Sequence, residues 1–348
     1  MRGITFIGAG ALAQGIAAHL SAHVPVTLVA SERTGADLRA KGAVTVGGLS
    51  RLHAELSDGN AVAPGRLGLQ LDPARVSPDD ALIFTTKGPQ LAGVVRQVPR
   101  GRNSLVAGLQ NGVLKDEILM ARFGAENVVG AVTLFNARRE GADVIIGGKG
   151  YSYFGELSGG SSARVAQIVD LFRRADLNAA VSDSIRSLTW MKFVNALGVF
   201  GTSALTRKTS TAIMQSPSLV AAYLDLIGEG AAVAVAEGAV VADYPDIPMG
   251  SYVLRDPDRV ATEIVTAARA AAAGPGSLSS MAQDVLAGRP TESAETFGDI
   301  VERAERRGIP APRLRFVRDL LAGFDSIALG ASAENDIAPR IDRTSTDR

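Results

Sequence analysis

The chain has 348 residues, which at about 100–200 residues per domain implies two domains, and its 46% apolar content is ordinary for a chain with a sizeable core. Its 36 Lys and Arg balance 36 Asp and Glu, so no global field draws it to nucleic acid or to an anionic membrane. It has no cysteine, which excludes disulfides, thiolate nucleophiles and thiolate metal sites and fits a reducing, cytoplasmic compartment.

Residues 3–7 (GITFI) form a short apolar run that ends at a glycine turn. A helical pattern follows from Ala11 to Leu20, then a second apolar run at 24–30. This strand–turn–helix–strand unit opens a doubly wound parallel sheet. Residues 1–20 have the composition of a signal peptide, one Arg and then an apolar run, but their glycine spacing argues for the fold. Further strands are expected at 81–86, 104–108 and 128–132, with shorter ones at 144–146, 151–154 and 178–181. A helix is expected from near Ser162. From Asp183 long helical periods take over, at 184–206, 216–237, 258–273, 281–288 and 293–307. The most apolar of these stretches, 219–241, carries Asp225, Glu229 and Glu237 and reads as a buried helix rather than a membrane span. The expected class is therefore α/β: an N-terminal Rossmann-type doubly wound parallel sheet over 1–183, followed by an all-α C-terminal domain over 184–330. Residues 271–280 (AAAGPGSLSS) read as a flexible connector, and 331–348 as a polar tail without fixed structure.

Gly8-Ala9-Gly10-Ala11-Leu12-Ala13 reads as G-x-G-x-x-A between a strand and a helix. Gly8 allows the tight turn, Gly10 lets the backbone approach a pyrophosphate, and Ala13 lets the helix pack close to the strand while its N-terminus faces the anion. At the end of the second run, the position for a carboxylate that would hold a ribose 2′-hydroxyl is Ala30. Ser31 and Arg33 follow, and suit a 2′-phosphate. The pattern therefore expects NADP, with Glu32 past the strand end and facing solvent.

Between Arg186 and Arg207 the only charged residue is Lys192. An ammonium in an apolar helix is costly unless paired or functional. Desolvation would lower its pKa and make it a better proton donor near neutral pH. A lysine snorkelling from the helix edge gives the same sequence. His19, His23 and His53 all lie in the cofactor domain without ligand spacing, so no metal site is expected.

Five blocks, GAGALAQG (8–15), TTKGPQ (85–90), LQNGV (109–113), TWMKFVNALGVFGTSALT (189–206) and SSMAQDVLAGRPTE (279–292), come in the order and with the spacing of the ketopantoate reductase family, which the chain resembles from residue 3 to about residue 325. The resemblance implies an NADPH-dependent reductase that delivers hydride to the ketone of a small 2-oxo acid in pantothenate biosynthesis. It implies that Lys192 is the general acid and Glu292 the active-site glutamate near substrate, lysine and cofactor. It further implies that Ser280 binds the substrate carboxylate, that Asn111 lies between cofactor and substrate, and that Lys87 lines the cofactor cleft. Each residue also has a plainer reading. Glu292 suits the first turn of a helix, Ser280 and Gln283 have capping-box spacing, Asn111-Gly112 is a common turn pair, and Lys87 fits a solvated loop.

The sequence departs from the family at the asparagines expected four and eight residues after the lysine, where it has Ala196 and Phe200. Asn195 stands one position early, shares a helix face with Lys192, and is assigned to the substrate. After Glu292 the family's Ile-Asp and Asn-Gly are replaced by Ser293-Ala294 and Phe297-Gly298. A bulkier or less polar keto acid is the alternative substrate if Phe200 and Phe297 line the pocket. A non-catalytic NADP-binding sensor is the other alternative, and the presence of both Lys192 and Glu292 argues against it. The partner expected is a small-molecule 2-oxo acid, with neither nucleic acid nor membrane; a homodimer is allowed.

Overall fold

The computed structural model describes residues 2–147, 150–271, 274 and 276–337, with side chains as far as residue 330. It divides into two compact units, Met1–Phe193 and Val194–Arg348.

The first unit is built on strands β1 Ile4–Ile7, β2 Val26–Val29, β3 Ala43–Gly48, β4 Leu52–Asp58, β5 Leu67–Gln70, β6 Ala81–Phe84, β7 Val106–Gly108, β8 Val129–Thr133, β9 Asn136–Glu140, β10 Asp143–Gly147, β11 Ser152–Glu156 and β12 Ala179–Val181. Its helices are α1 Ala11–Leu20, α2 Glu32–Lys41, α3 Gly88–Gln97, α4 Leu114–Phe123 and α5 Ala163–Arg174, followed by α6 Ile185–Thr206, which runs on into the second unit. Nine strands form one sheet in the order β7-β6-β1-β2-β5-β4-β3-β10-β9. From β7 to β4 every pairing is parallel. The Rossmann-type core is therefore present as expected. Its central strands are buried on both faces, and Ile4, Phe6, Leu28 and Ile83 are fully enclosed, as parallel strands covered by helices must be.

The structure differs from the expected sheet in two places. Strands at 129–133, 152–156 and 179–181 leave the large sheet and form their own, β12-β11-β8. The large sheet is instead extended by β3, β4, β5 and β9, none of which the sequence announced. β4 and β9 show why: their side chains are mostly exposed or half-exposed, so neither carries the apolar run that marks a buried strand.

Among the described residues the second unit is helical apart from its loops and a two-residue ladder, β13 Asp243–Tyr244 with β14 Ile247–Pro248. Its helices are α7 Ser210–Met214, α8 Pro217–Ala236, α9 Met249–Val253, α10 Pro257–Ala270, α11 Ser280–Leu286, α12 Asp299–Arg307 and α13 Pro312–Ile337. α8 is long and apolar enough to cross a membrane by length and composition, and half of its most apolar stretch is buried inside the protein.

The division between the units falls within α6, ten residues beyond the expected boundary at Asp183. Ile185 is fully buried. It sits over Gly130 and Gly155, a cross-strand pair in β8 and β11, and a Cβ on either glycine would lie 2.8 Å from an Ile185 atom. The start of α6 is thereby locked into the first unit. At the far end, α13 continues to Ile337, so the first seven residues of the expected tail are helical; 338–348 lie outside the described residues. Part of the expected connector, at 272, 273 and 275, also lies outside them.

Candidate active site

The chain leaves β1 towards β2 on one side and reaches β6 on the other. The crevice at the carboxyl ends of these strands is where doubly wound sheets take their ligands. Gly8 follows β1 with φ +112°, and a Cβ there would lie 2.7 Å from the Thr86 backbone nitrogen, so only glycine fits. Gly10 caps α1 in extended conformation and has nothing within 4 Å of its absent Cβ. That open space lies where a pyrophosphate would meet the first N–H groups of α1, at Ala11 and Leu12. Ala13 is fully buried, as the close helix–strand approach requires. The approach depends equally on Gly15, which the sequence reading missed: a Cβ there would lie 2.3 Å from Ile146 Cδ1.

A cleft of about 900 Å³ opens at this edge, within the range of roughly 300–1,000 Å³ usual for ligand sites. Gly8, Ala9 and Gly10 form its floor, and Lys87, at the N-terminus of α3, lies on its wall. At the end of β2 the lining comprises Ala30, Ser31, Arg33, Thr34 and Asp37. Glu32 is exposed and is not part of that lining. Ser31 Oγ accepts from the Thr34 backbone N–H at 3.4 Å and caps α2. Asp37 is a carboxylate on this wall that the sequence reading missed. The open space at Gly10, the helix N-terminus and the Arg33 guanidinium together fit a dinucleotide.

Lys192 is half-buried on α6, and its Nζ donates to Asn111 Oδ1 at 3.0 Å. Asn111 follows β7 in a turn that Gly112 completes with φ +88°. The two residues also line a small, partly open pocket of about 10 Å³, together with Gln110, Lys115 and Thr189, which is about the room one water needs. Neither polar atom of the Gln110 amide has a hydrogen-bond partner among the described residues. Lys115 is 3% exposed and donates to Asp116 Oδ1 at 2.7 Å. Burial pushes the Asp116 carboxyl above its ordinary range, against the pull of Lys115. In sequence, Lys115 and Asp116 look like an ordinary solvated helix start, and only their burial distinguishes them.

Asn195, Ser280 and Glu292 belong to the second unit. α6 is uninterrupted from Ile185 to Thr206, so no bulge restores the family register; Asn195 stays three residues after Lys192, and Ala196 and Phe200 keep the asparagine positions. Asn195 Oδ1 accepts from the Tyr223 hydroxyl at 2.7 Å, which commits the oxygen and leaves the NH₂ as the group that could meet a carboxylate. Ser280 is exposed at the start of α11. The helix is capped by Ser279, which accepts from Ala282 N–H at 3.1 Å, so the capping spacing read for Ser280 and Gln283 is not the cap.

Glu292 does not lie in the first turn of a helix, as expected. It sits in the loop before a π-helical turn, Ala294–Gly298, that leads into α12. Asp325 on α13 holds this loop, accepting from Thr291 N–H at 2.7 Å, Thr291 Oγ1 at 2.8 Å and Ser293 Oγ at 2.6 Å. Burial, and then the charges of Glu292 and Asp325, raise the Glu295 carboxyl above its ordinary range. Phe297 is fully buried, with its ring against Gly201. It is therefore part of the core of the second unit rather than a pocket wall, which removes it as an argument for a bulky substrate. Among the described residues no group of three or more His, Asp or Glu is placed to hold a metal ion.

Residues 4–159 match the family described as Ketopantoate reductase PanE/ApbA, and residues 184–325 match Ketopantoate reductase PanE/ApbA C terminal. The chain belongs to the ketopantoate reductase family. It is an oxidoreductase that interconverts a ketone and its alcohol. The 2-dehydropantoate 2-reductase of Halobacterium salinarum is 29% identical over 259 residues, covering 74% of this chain and 79% of that protein. Among solved structures, 2-dehydropantoate 2-reductase from Geobacter metallireducens superposes with a TM-score of 0.74 at 22% identity, over 92% of this chain and 99% of that one. The ternary structure of D-mandelate dehydrogenase with NADH and anilino(oxo)acetate superposes with a TM-score of 0.71 at 18% identity, over 94% and 99%. At these identities the structures show a shared fold.

Proposed function

We propose that this family member is a cytoplasmic reductase that uses NADPH to convert a small 2-oxo acid to the 2-hydroxy acid, with Lys192 as the general acid. The observation that carries the reading is the 3.0 Å hydrogen bond from Lys192 Nζ to Asn111 Oδ1, made just past the end of β7, at the edge of the sheet that also bears the glycine loop. When bound, the nicotinamide cofactor supplies the hydride. The loop from Gly8 to Ala13 would hold the pyrophosphate through backbone N–H groups, Arg33 would meet the 2′-phosphate, and Lys87 would add positive charge to the cleft. Asn111 accepts from Lys192 and so fixes the direction of the ammonium. Lys192 stabilises the negative charge that develops on the ketone oxygen and then protonates it. Ser280 and the NH₂ of Asn195 bind the substrate carboxylate, and Glu292 borders the substrate. A homodimer fits the likeness to the dimeric ketopantoate reductase of Staphylococcus aureus.

A second reading, NADH in place of NADPH, is favoured by Asp37. A carboxylate on that wall would receive a ribose hydroxyl and repel a phosphate, and the D-mandelate dehydrogenase structure contains NADH.

The test of the main reading is Lys192→Ala. A positioned proton donor is worth about 10²–10⁴-fold in rate, so kcat should fall by about that factor while the NADPH dissociation constant stays within a few-fold. Lys192→Arg should also be poor, because a guanidinium holds its proton too tightly. A merely snorkelling lysine predicts a shifted Tm with near-normal kcat. A fall of less than about tenfold would move the acid elsewhere, with Glu292 the next candidate.

A further inference from the structure

Lys115 is an expensive residue in the place it occupies. Its side chain is 2% exposed, and a buried ammonium is costly even when paired. It lies in the first turn of α4, where the helix dipole disfavours a cation. Its stem is accommodated by a glycine: a Cβ on Gly108 would lie 3.1 Å from Lys115 Cδ and 2.8 Å from Gln110 Oε1. A buried ion pair of this kind is weak evidence for a stabilising role, because apolar residues of similar volume often serve as well or better. Lys115 lines the same pocket of about 10 Å³ as Lys192 and Asn111, whereas its partner Asp116 does not. Of the two opposite charges, the positive one is therefore on the wall that Lys192 shares.

We propose that Lys115 is a positioning residue that lowers the proton affinity of Lys192, so that Lys192 gives up its proton more readily. A like charge in the same low-dielectric pocket disfavours the charged form of its neighbour. The other elements around the pocket contribute no competing charge to its lining. β8 offers Ala131 and Val132, the turn after β7 offers Gln110, Asn111 and Gly112, and α6 offers Thr189 and Phe193 besides Lys192 itself. Asp116 tempers the effect from behind Lys115. Glu292, which the family resemblance assigns to the active site, is unchanged in every variant below and cancels in the comparison. The inference deepens the reading of Lys192 as the acid, but its test reads the proton affinity directly and does not depend on turnover.

The chain has six lysines, few enough for NMR titration of the whole protein labelled with ¹³C at lysine Cε. The Lys192 signal is assigned by its loss in Lys192→Arg. In the double variant Lys115→Met/Asp116→Asn, which removes the buried pair without leaving an unpaired charge, the Lys192 pKa should rise by about one unit. In Asp116→Asn alone, over the pH range in which the Lys115 signal of the same spectra shows it still protonated, it should stay where it is or fall. An unmoved Lys192 in the double variant would overturn the proposal. So would an equal rise in Asp116→Asn alone, because that would mean relaxation of the turn rather than loss of the neighbouring charge. A normal kcat in Lys192→Ala would sink the assignment of the acid and leave this titration result standing on its own.

Discussion

Arg33 and Asp37 lie one helical turn apart on α2, both on the wall of the cofactor cleft, and they act on a 2′-phosphate in opposite directions. Arg33→Ala should weaken NADPH binding by about tenfold, the loss of roughly one charge-assisted hydrogen bond, and leave NADH binding nearly unchanged. Asp37→Asn should tighten NADPH. Dissociation constants for both cofactors check this, and equal affinities in the parent protein would contradict it. At this scale the placing of the glycine loop between β1 and α1 was legible because it depends on spacing: Gly8, Gly10, Ser31 and Arg33 stand at fixed offsets from a strand end and line one cleft. Asp37, Gln110 and Lys115 were not legible, since their meaning depends on which side of a helix or turn is buried. Asp325 was invisible for another reason. It holds the Thr291–Ser293 loop from more than thirty residues away, and no local pattern reports such a contact.

At the scale of elements, the clearest long-range device is the clamp between β11 and α5. Arg164 donates through Nε to Glu156 Oε1 at 2.8 Å and through Nη2 to Oε2 at 2.6 Å, while its Nη1 reaches the Ser104 carbonyl at 2.7 Å. Ser162, the cap of α5, donates to the same carboxylate. The Arg164 hydrogen bond holds the Glu156 carboxyl below its ordinary value of 4.5. Its folded pKa is thus depressed, so its stabilisation is present above the unfolded value and is lost as pH falls through the folded one. Glu156→Gln should cost about 1–3 kcal/mol at neutral pH, and the difference from the parent should shrink as pH drops below about 4.5. Denaturation curves across that range test it; a difference independent of pH would count against the clamp. The start of this helix near Ser162 was readable from the loop before it. α13 was not read as a helix, although Leu314, Val317, Leu321 and Ala328 are buried at helical spacing. Exposed Phe316, Leu320, Ile327 and Leu329 blur that period by placing apolar residues on both faces.

For the whole molecule, the order of the two units followed from the change of hydrophobic period near residue 183. The unit division could not be read in the same way, because Ile185 carries the start of α6 into the first unit through packing over two glycines. Substrate identity also belongs to this scale. Ala196 and Phe200 are both buried and stand where the resemblance expects asparagines, so we expect ketopantoate to be turned over with kcat/KM below about 10⁴ M⁻¹s⁻¹; a higher value would overturn the substrate expectation alone. The most direct test of the account is the rate of NADPH oxidation by the purified full chain against a panel of 2-oxo acids, ketopantoate included. Turnover of at least one of them is expected, and no oxidation of bound NADPH by any member of the panel would refute reduction of a 2-oxo acid.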